Sequence, residues 1–192
     1  MDDTPLNVLG IAGSLRRASY NRALLRAAIE LAPPQLRITP FDGLREIPLY
    51  DGDVDAAGAA APAQRLKDAI AAADALLIVT PEYNYSIPGV LKNAIDWASR
   101  PADKTPLRDK PTGIIGASMG NFGTVRAQLA LRQVFVFTGT PVMLKPEVLV
   151  TRAQDKFDAG GTLTDAPTRE HLGKYLLAFA EWSRRCLRAA AA

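Results

Sequence analysis

Residues 75–99 read ALLIVTPEYNYSIPGVLKNAIDWAS, and this stretch decides the fold. It opens with the apolar run Ala75–Thr80, which predicts a strand buried on both faces of a sheet. The nine residues Pro81–Gly89 then bring together two tyrosines, an amide, a serine hydroxyl and a carboxylate, and an apolar helical pattern starts at Val90. A strand, a polar and aromatic loop, and a helix in this order are typical of an open α/β sheet, in which ligands bind at the carboxyl ends of the strands.

The same alternation of strand and helix patterns runs along the whole chain and predicts a parallel sheet covered by helices. We expect one domain over residues 1–192, because this length suits a single core and no linker or internal repeat is visible. The predicted strands are Leu6–Ala12, Leu36–Phe41, Ala75–Thr80, Thr112–Ala117 and Val142–Leu144, with Glu147–Val150 as a continuation of the last. The predicted helices are Tyr20–Leu31, one that begins at Pro62, Pro88–Ser99, Thr124–Phe137, and one through Leu172 and Leu176 to Arg188. Between them, Asp42–Ala61 is predicted to be a loop and the most mobile segment.

Composition excludes several classes of function. Lys+Arg 23 against Asp+Glu 20 gives a net charge of +3, and the charges are scattered, which argues against a nucleic-acid partner. No apolar run approaches the roughly 20 residues that a membrane helix needs, so no membrane partner is expected. The acidic start of the chain shows no signal peptide, and a single cysteine, Cys186, cannot form an intrachain disulfide. A cytoplasmic location is therefore expected.

The loop after the first predicted strand, Gly13–Asn21 (the first loop), has the features of an anion site. It opens a helix, whose N-terminus offers free backbone N–H groups and the positive end of the helix dipole. Ser14, Ser19 and Asn21 add polar side chains, and Arg16 adds a guanidinium suited to phosphate. Ser19 alone would also serve as an ordinary helix cap. The glycine pattern of dinucleotide-binding folds is missing, which favours a single phosphate over a pyrophosphate.

Two further loops are predicted at the same edge of the sheet. The second loop, Pro81–Gly89, offers stiff, flat walls that suit a planar ring, although aromatic residues there could simply cover the end of the sheet. The third loop, Ser118–Gly123, contains glycines that allow close backbone approach, or it is an ordinary turn between strand and helix. Three such loops on one edge strengthen the prediction of a ligand site.

These motifs resemble the NADPH-dependent FMN reductase family, and in particular the bacterial quinone and chromate reductases. The resemblance rests on Gly13–Arg16 with Ser19 and Asn21, on Pro81–Trp97, on the segment from Gly116 through Arg126 to Gln133, and on Lys145–Glu147. It covers nearly the whole chain. It implies a flavodoxin-like three-layer sandwich with a five-stranded parallel sheet in the order 2-1-3-4-5, non-covalently bound FMN, and a homodimer or homotetramer.

The resemblance also implies roles for individual residues. Ser14, Arg16, Ser19 and Asn21 would hold the FMN phosphate, Glu82, Tyr83, Asn84 and Tyr85 would line the isoalloxazine ring, and Ser118 with Gly120 would close its other edge. We include their neighbours Leu15, Arg17, Tyr20 and Pro81 among the expected cofactor-binding residues.

The predicted function is transfer of hydride from NADPH or NADH through FMN to a small-molecule acceptor. Quinones are the expected acceptors, with chromate, azo compounds and free flavin as further ones. The alternative is a non-enzymatic electron carrier of the flavodoxin type, which would keep the fold and FMN but react poorly with nicotinamides. The chain has neither the threonine-rich phosphate loop nor the acidic surface usual in such carriers.

No catalytic residue is assigned from the sequence, because the flavin itself carries the hard chemistry. The single histidine, His171, lies far along the chain from the three loops, and no His or Cys cluster has metal-ligand spacing, so no metal is expected. An oligomer is expected from wide apolar faces on two predicted helices. These faces comprise Val90, Leu91, Ile95 and Trp97, and then Val125, Leu129, Val134 and Phe135.

Overall fold

A computed structural model describes residues 4–58 and 60–190 and shows five parallel strands in one sheet. The strand order is β2-β1-β3-β4-β5, as the resemblance implies. The strands are β1 (Leu6–Ala12), β2 (Leu36–Pro40), β3 (Ala75–Val79), β4 (Thr112–Ala117) and β5 (Val148–Val150).

The central strand β3 is buried at every residue, because helices cover both faces of the sheet. Its side chains alternate between two cores: Leu77 and Val79 lie in one, and Leu76 and Ile78 in the other. The helices are α1 (Tyr20–Glu30), α2 (Gly52–Ala56), α3 (Ala61–Ala72), α4 (Gly89–Ala98), α5 (Val125–Thr138) and α6 (Ala166–Ala190). Helices α1 and α6 cover the first core, and α3, α4 and α5 cover the second. The chain therefore folds as the expected three-layer sandwich.

The fifth strand lies later in the chain than the predicted Val142–Leu144. Val142 forms only an isolated bridge to Thr112, whereas Val148–Val150 pairs with Ile115, Gly116 and Ala117. The residues that pair with the carboxyl end of β4 therefore lie after Pro146, and Pro146 itself has no N–H to donate to a sheet. The correct strand is part of what was predicted as a continuation.

The predicted loop Asp42–Ala61 contains regular structure that the sequence prediction missed. A short 3₁₀ helix, Gly43–Glu46, precedes α2, and Ala59 lies outside the described residues. The Pro48 carbonyl accepts hydrogen bonds from Asn93 Nδ2 at 2.8 Å and from Trp97 Nε1 at 2.9 Å. The segment is thereby attached to α4.

Register places the ends of β1, β3 and β4 at one height. Val8 pairs with Ala75 and Ala12 with Val79, and the ladder continues through Gly13 N–H, which donates to Val79 O at 2.9 Å. Between β3 and β4, Thr80 N–H donates to Ile115 O at 2.9 Å. The three predicted loops therefore leave the sheet side by side. Among the described residues, no helix is long and apolar enough to cross a membrane.

Gly116 allows the closest approach at this edge of the sheet. A Cβ atom there would overlap the side chain of Thr124 and the carbonyl oxygen of Thr80. The second of these is backbone and cannot rotate away, so the strand ends can pack this closely only without a side chain at position 116.

We therefore expect Gly116→Ala to lower the free energy of unfolding by roughly 1–3 kcal/mol, the usual cost of overpacking a core. Urea denaturation of the purified protein measures this change. Gly173→Ala is the matched control, because nothing lies within 4 Å of a Cβ placed on this helical glycine. The control should gain about 0.5–1 kcal/mol from the helix propensity of alanine. Equal stability of the two variants would contradict the close approach at Gly116.

Candidate functional site

The first loop presents the N-terminus of α1 at the carboxyl edge of the sheet. Ser19 caps the helix, and its hydroxyl accepts from Asn21 N–H at 3.2 Å and Arg22 N–H at 3.4 Å. Ser14 is buried beside the end of β1, while Arg16 and Arg17 are exposed. Helix N–H groups beside two exposed guanidinium groups form a donor set that suits a phosphate. The Ser19 cap and the anion site can coexist because the cap uses only part of the first turn.

Asn21 has a different role from the one that the resemblance implies. Its side chain is buried, with Nδ2 donating to Ala117 O at 2.8 Å and Oδ1 accepting from Ala117 N–H at 2.9 Å. This pair of bonds fixes α1 to the last residue of β4. Asn21 therefore positions the first loop against the third, and its amide faces the sheet and not the anion site.

Three contacts set the conformation of the first loop around Ser14. The Ser14 hydroxyl lies 3.3 Å from the Tyr83 hydroxyl, which connects the first loop to the second. Leu15 O accepts from Arg45 Nη2 at 2.9 Å, and the Arg16 guanidinium lies 5.7 Å from the centre of the Tyr20 ring. Both arginines are exposed, so the loop keeps a positive surface.

The second loop is a tight hairpin turn with backbone strain. Tyr83 N–H donates to Ser86 O at 2.9 Å, and Ser86 N–H donates to Tyr83 O at 3.0 Å. Asn84 and Tyr85 between them have φ of 50° and 67°, as a type I′ turn requires. For a tyrosine this conformation costs on the order of 1–3 kcal/mol, and such strain is concentrated at binding sites. The turn exposes 71% of Tyr85, at the same edge of the sheet as the first loop.

The carboxylate of Glu82 is bound to the start of α5. Its carboxylate accepts from Arg126 N–H at 2.9 Å and from Ala127 N–H at 3.2 Å, at the N-terminus of α5. The other oxygen accepts from Arg126 Nη1 at 3.1 Å, and the Glu82 side chain is only 11% exposed. A carboxylate is favourable at this end of the helix dipole. Glu82 therefore binds the second loop to α5.

The Arg126 guanidinium stacks on the rings of Tyr85 and Phe122. The sequence did not predict this grouping. The guanidinium carbon of Arg126 lies 4.0 Å from the centre of the Tyr85 ring and 4.7 Å from that of the Phe122 ring. Both rings are more than half exposed. The grouping was not visible in the sequence, since Tyr85 and Arg126 are 41 positions apart and meet only in the folded chain.

A hydrogen bond inside the third loop fixes its shape, and Gly120 lies exposed at its surface. Ser118 Oγ donates to Gly123 O at 2.6 Å, so this hydroxyl closes the loop and is not directed at a ligand. Gly123 has φ of +59° and packs against Leu149. Gly120 is exposed, and its carbonyl accepts from Arg152 N–H at 3.2 Å. Opposite it, Pro81 is buried at the base of the second loop.

The structure thus brings the predicted loops to one edge of the sheet, with the N-terminus of α1 and two exposed arginines in the first loop, and the exposed rings of Tyr85 and Phe122 in the second and third. Within the described residues, no group of three or more His, Cys, Asp or Glu side chains could hold a metal ion. Such an edge, at the switch point of a doubly wound sheet, defines a nucleotide-binding protein of the flavodoxin class.

Comparison with known proteins identifies the family. The family model for NADPH-dependent FMN reductases matches residues 6–155, so the chain belongs to that family. It is 52% identical over 180 residues to an NAD(P)H-dependent FMN reductase of Pseudomonas aeruginosa, which spans 94% of this chain and 96% of that protein. It is 43% identical over 182 residues to a quinone reductase of Escherichia coli strain K12, with the same coverage of 94% and 96%.

A solved structure agrees with this assignment. FerB of Paracoccus denitrificans, a flavoenzyme NAD(P)H:(acceptor) oxidoreductase, superposes with a TM-score of 0.86 and 36% sequence identity. The match covers 94% of this chain and 98% of FerB.

The role assigned to Glu82 predicts a loss of stability on its removal. We expect Glu82→Ala to lower the free energy of unfolding by roughly 1.5–3 kcal/mol, because hydrogen bonds to a charged group are lost at a nearly buried site. Denaturant titration measures the change. The control is Glu46→Ala, which removes an exposed ion pair with Arg65 and should cost less than about 1 kcal/mol. If both variants lose the same small amount, Glu82 does not fasten the second loop.

Proposed function

We propose that the protein is an NAD(P)H-dependent FMN oxidoreductase that reduces quinones. The observation that carries the proposal is the single edge at which the N-terminus of α1, the strained second loop and the open third loop meet. Family membership supports FMN as the cofactor and NADPH or NADH as the co-substrate. FMN, when bound, supplies the two-electron chemistry that links a nicotinamide to an acceptor.

The donor set of the first loop fits the phosphate of FMN. Ser14, Arg16, Arg17 and the backbone N–H groups that open α1 at Tyr20 would hold it, with Leu15 shaping the loop. Ser19 contributes through its place at the helix cap. A single phosphate matches this set because the loop lacks the glycines that bring a pyrophosphate close to the backbone.

The second and third loops fit the ring system. The backbone around Tyr83, Asn84 and Tyr85 would contact its polar edge, and Pro81 forms a rigid floor. Backbone N–H groups aimed at that edge favour negative charge there, and this electrostatic effect is the main help that the chain itself gives to reduction. Ser118 and Gly120 would close the far side. Glu82 and Asn21 support these loops without contacting the ligand.

Quinones are the acceptor class that the relatives favour. Besides the quinone reductase of Escherichia coli, a 2-hydroxy-1,4-benzoquinone reductase of Burkholderia is 41% identical over 179 residues. The exposed rings of Tyr85 and Phe122 offer flat apolar surface beside the guanidinium of Arg126, which suits a planar acceptor. Chromate, azo compounds and free flavin remain further acceptors to compare.

Steady-state kinetics tests the proposal. We expect FMN-loaded protein to oxidise NADPH rapidly only when a benzoquinone is present, with parallel double-reciprocal lines as nicotinamide and quinone take turns at one site. Protein freed of FMN should be inactive and should recover on adding FMN. Turnover that is independent of FMN would contradict the proposal.

Arg16 gives a direct test of the phosphate site. We expect Arg16→Ala to weaken FMN binding by roughly 1.5–3 kcal/mol, the range for a hydrogen bond to a charged group. Quenching of flavin fluorescence on titration measures the dissociation constant. The matched control is Arg37→Ala, since Arg37 is an exposed arginine near the opposite end of β2. An unchanged FMN affinity in Arg16→Ala would remove Arg16 from the phosphate site.

We further propose that the protein is a homodimer or homotetramer in the cytoplasm. Of the residues expected to form an interface, Leu91, Ile95, Trp97 and Phe135 are instead buried in the protein's own core. The surface of α5 nevertheless exposes 58% of Leu129, 79% of Val136 and 71% of Phe137. A helix that is apolar on its outer as well as its inner face favours burial against a second subunit.

The cytoplasmic location rests on the lone cysteine.

Sedimentation equilibrium tests the oligomer. We expect the wild-type protein to have at least twice the chain mass of 20.6 kDa, and Val136→Asp to shift it towards the monomer. Leu177→Asp is the matched control, because this exposed leucine lies on α6, which covers the other face of the sheet. A wild-type monomer would contradict the proposed interface.

A further inference from the structure

A groove outside the proposed FMN site opens between α1 and the end of β2. Its volume is about 240 Å³. On one side, α1 contributes Arg22 and Arg26, which lie one turn apart on the same helix face. On the other side lie Phe41 and Asp42, which follow β2.

The walls of the groove combine apolar surface with positive charge. Leu25 and Ile29 of α1 face Phe41 and Leu44, so the floor suits a flat, apolar group. Asp42 is the only carboxylate that lines the groove in the described part of the chain, and its Oδ1 lies 3.6 Å from Arg22 Nη2. Arg26 donates from Nη2 to Gly161 O at 3.2 Å. That bond orients the guanidinium, and no carboxylate among the described residues forms an ion pair with it.

The groove begins at the first loop. Ser14 and Leu15 line both the groove and the proposed phosphate site, and Arg45 reaches Leu15 O from the far side. With Arg16 and Arg17, the surroundings of this loop hold more positive charge than one phosphate group of about −2 requires. This positive surface favours a second anion beside the first.

We propose that this groove binds the adenosine 2′-phosphate end of NADPH. The inference rests on the proposed function, which requires a second nucleotide beside FMN. Arg26, with Arg22, would bind the 2′-phosphate, and the adenine would lie against Phe41. Asp42 holds the Arg22 guanidinium at the rim. The groove is smaller than a pocket for a whole ligand, typically about 300–1,000 Å³. It would therefore take one end of the dinucleotide, and the rest would pass over the first loop towards the second.

Calorimetric titration with adenosine 2′,5′-bisphosphate and with 5′-AMP tests this assignment directly. These probes differ only in the 2′-phosphate and need no turnover, so the FMN-loaded protein can be used as it is. We expect the bisphosphate to bind about tenfold or more tightly than 5′-AMP, as for a charge-assisted hydrogen bond. In Arg26→Gln this preference should vanish, in Arg26→Lys it should be partly kept, and in the control Arg37→Gln it should be unchanged.

The kinetic counterpart is the ratio of kcat/KM for NADPH to that for NADH. This ratio should fall about tenfold in Arg26→Gln and stay the same in Arg37→Gln. A preference for the bisphosphate that survives in Arg26→Gln, or a wild-type protein that binds the two probes equally or not at all, would overturn the assignment. Failure of the proposed function looks different: neither nicotinamide would then be oxidised, while the binding of the two probes would still report on the groove.

Discussion

Parallel pairing of β1, β3 and β4 sets the height at which three loops leave the sheet, and the rest of the site depends on it. The ladder carries on past the strands, through Gly13 N–H to Val79 O and Thr80 N–H to Ile115 O. Because β3 is buried on both faces, a slip of one residue would move every one of its side chains to the opposite core. The fixed register thus keeps a constant distance between the N-terminus of α1 and the exposed rings of Tyr85 and Phe122. A ligand with a phosphate at one end and a ring at the other requires such a fixed distance.

Two polar side chains, one buried and one nearly buried, hold the loops at this edge in a defined arrangement. Asn21 exchanges two hydrogen bonds with Ala117 and so joins α1 to β4, while Glu82 joins the second loop to α5. Neither needs to contact a ligand to matter, since each fixes loops that do. The strain at Asn84 and Tyr85 is tolerated because Glu82 anchors the loop on α5, and because two backbone hydrogen bonds between Tyr83 and Ser86 close the turn.

The sequence predicted those parts of the molecule that depend on local pattern. Ala75–Val79 is a continuous apolar run, and Leu6–Ala12 is apolar except at Asn7. The first and third loops follow strands that such apolar patterns make evident. The short strand Val148–Val150 was misplaced because its three residues carry little pattern, and pairing with β4 decides its position. The partners of the Glu82 and Asn21 side chains lie 44 and 96 residues away, so only the folded chain shows which loops these side chains hold together. The stack of Arg126 with Tyr85 and Phe122 was missed for the same reason.

The central claim is that this edge binds FMN so that a nicotinamide can reduce it. The most direct measurement is the visible spectrum of the purified, FMN-loaded protein before and after NADPH is added without oxygen. The account predicts a yellow protein whose flavin absorbance bleaches quickly. A yellow protein that does not bleach would contradict it in favour of an electron carrier, and a protein that stays colourless after FMN is supplied would show that the three loops do not form a flavin site.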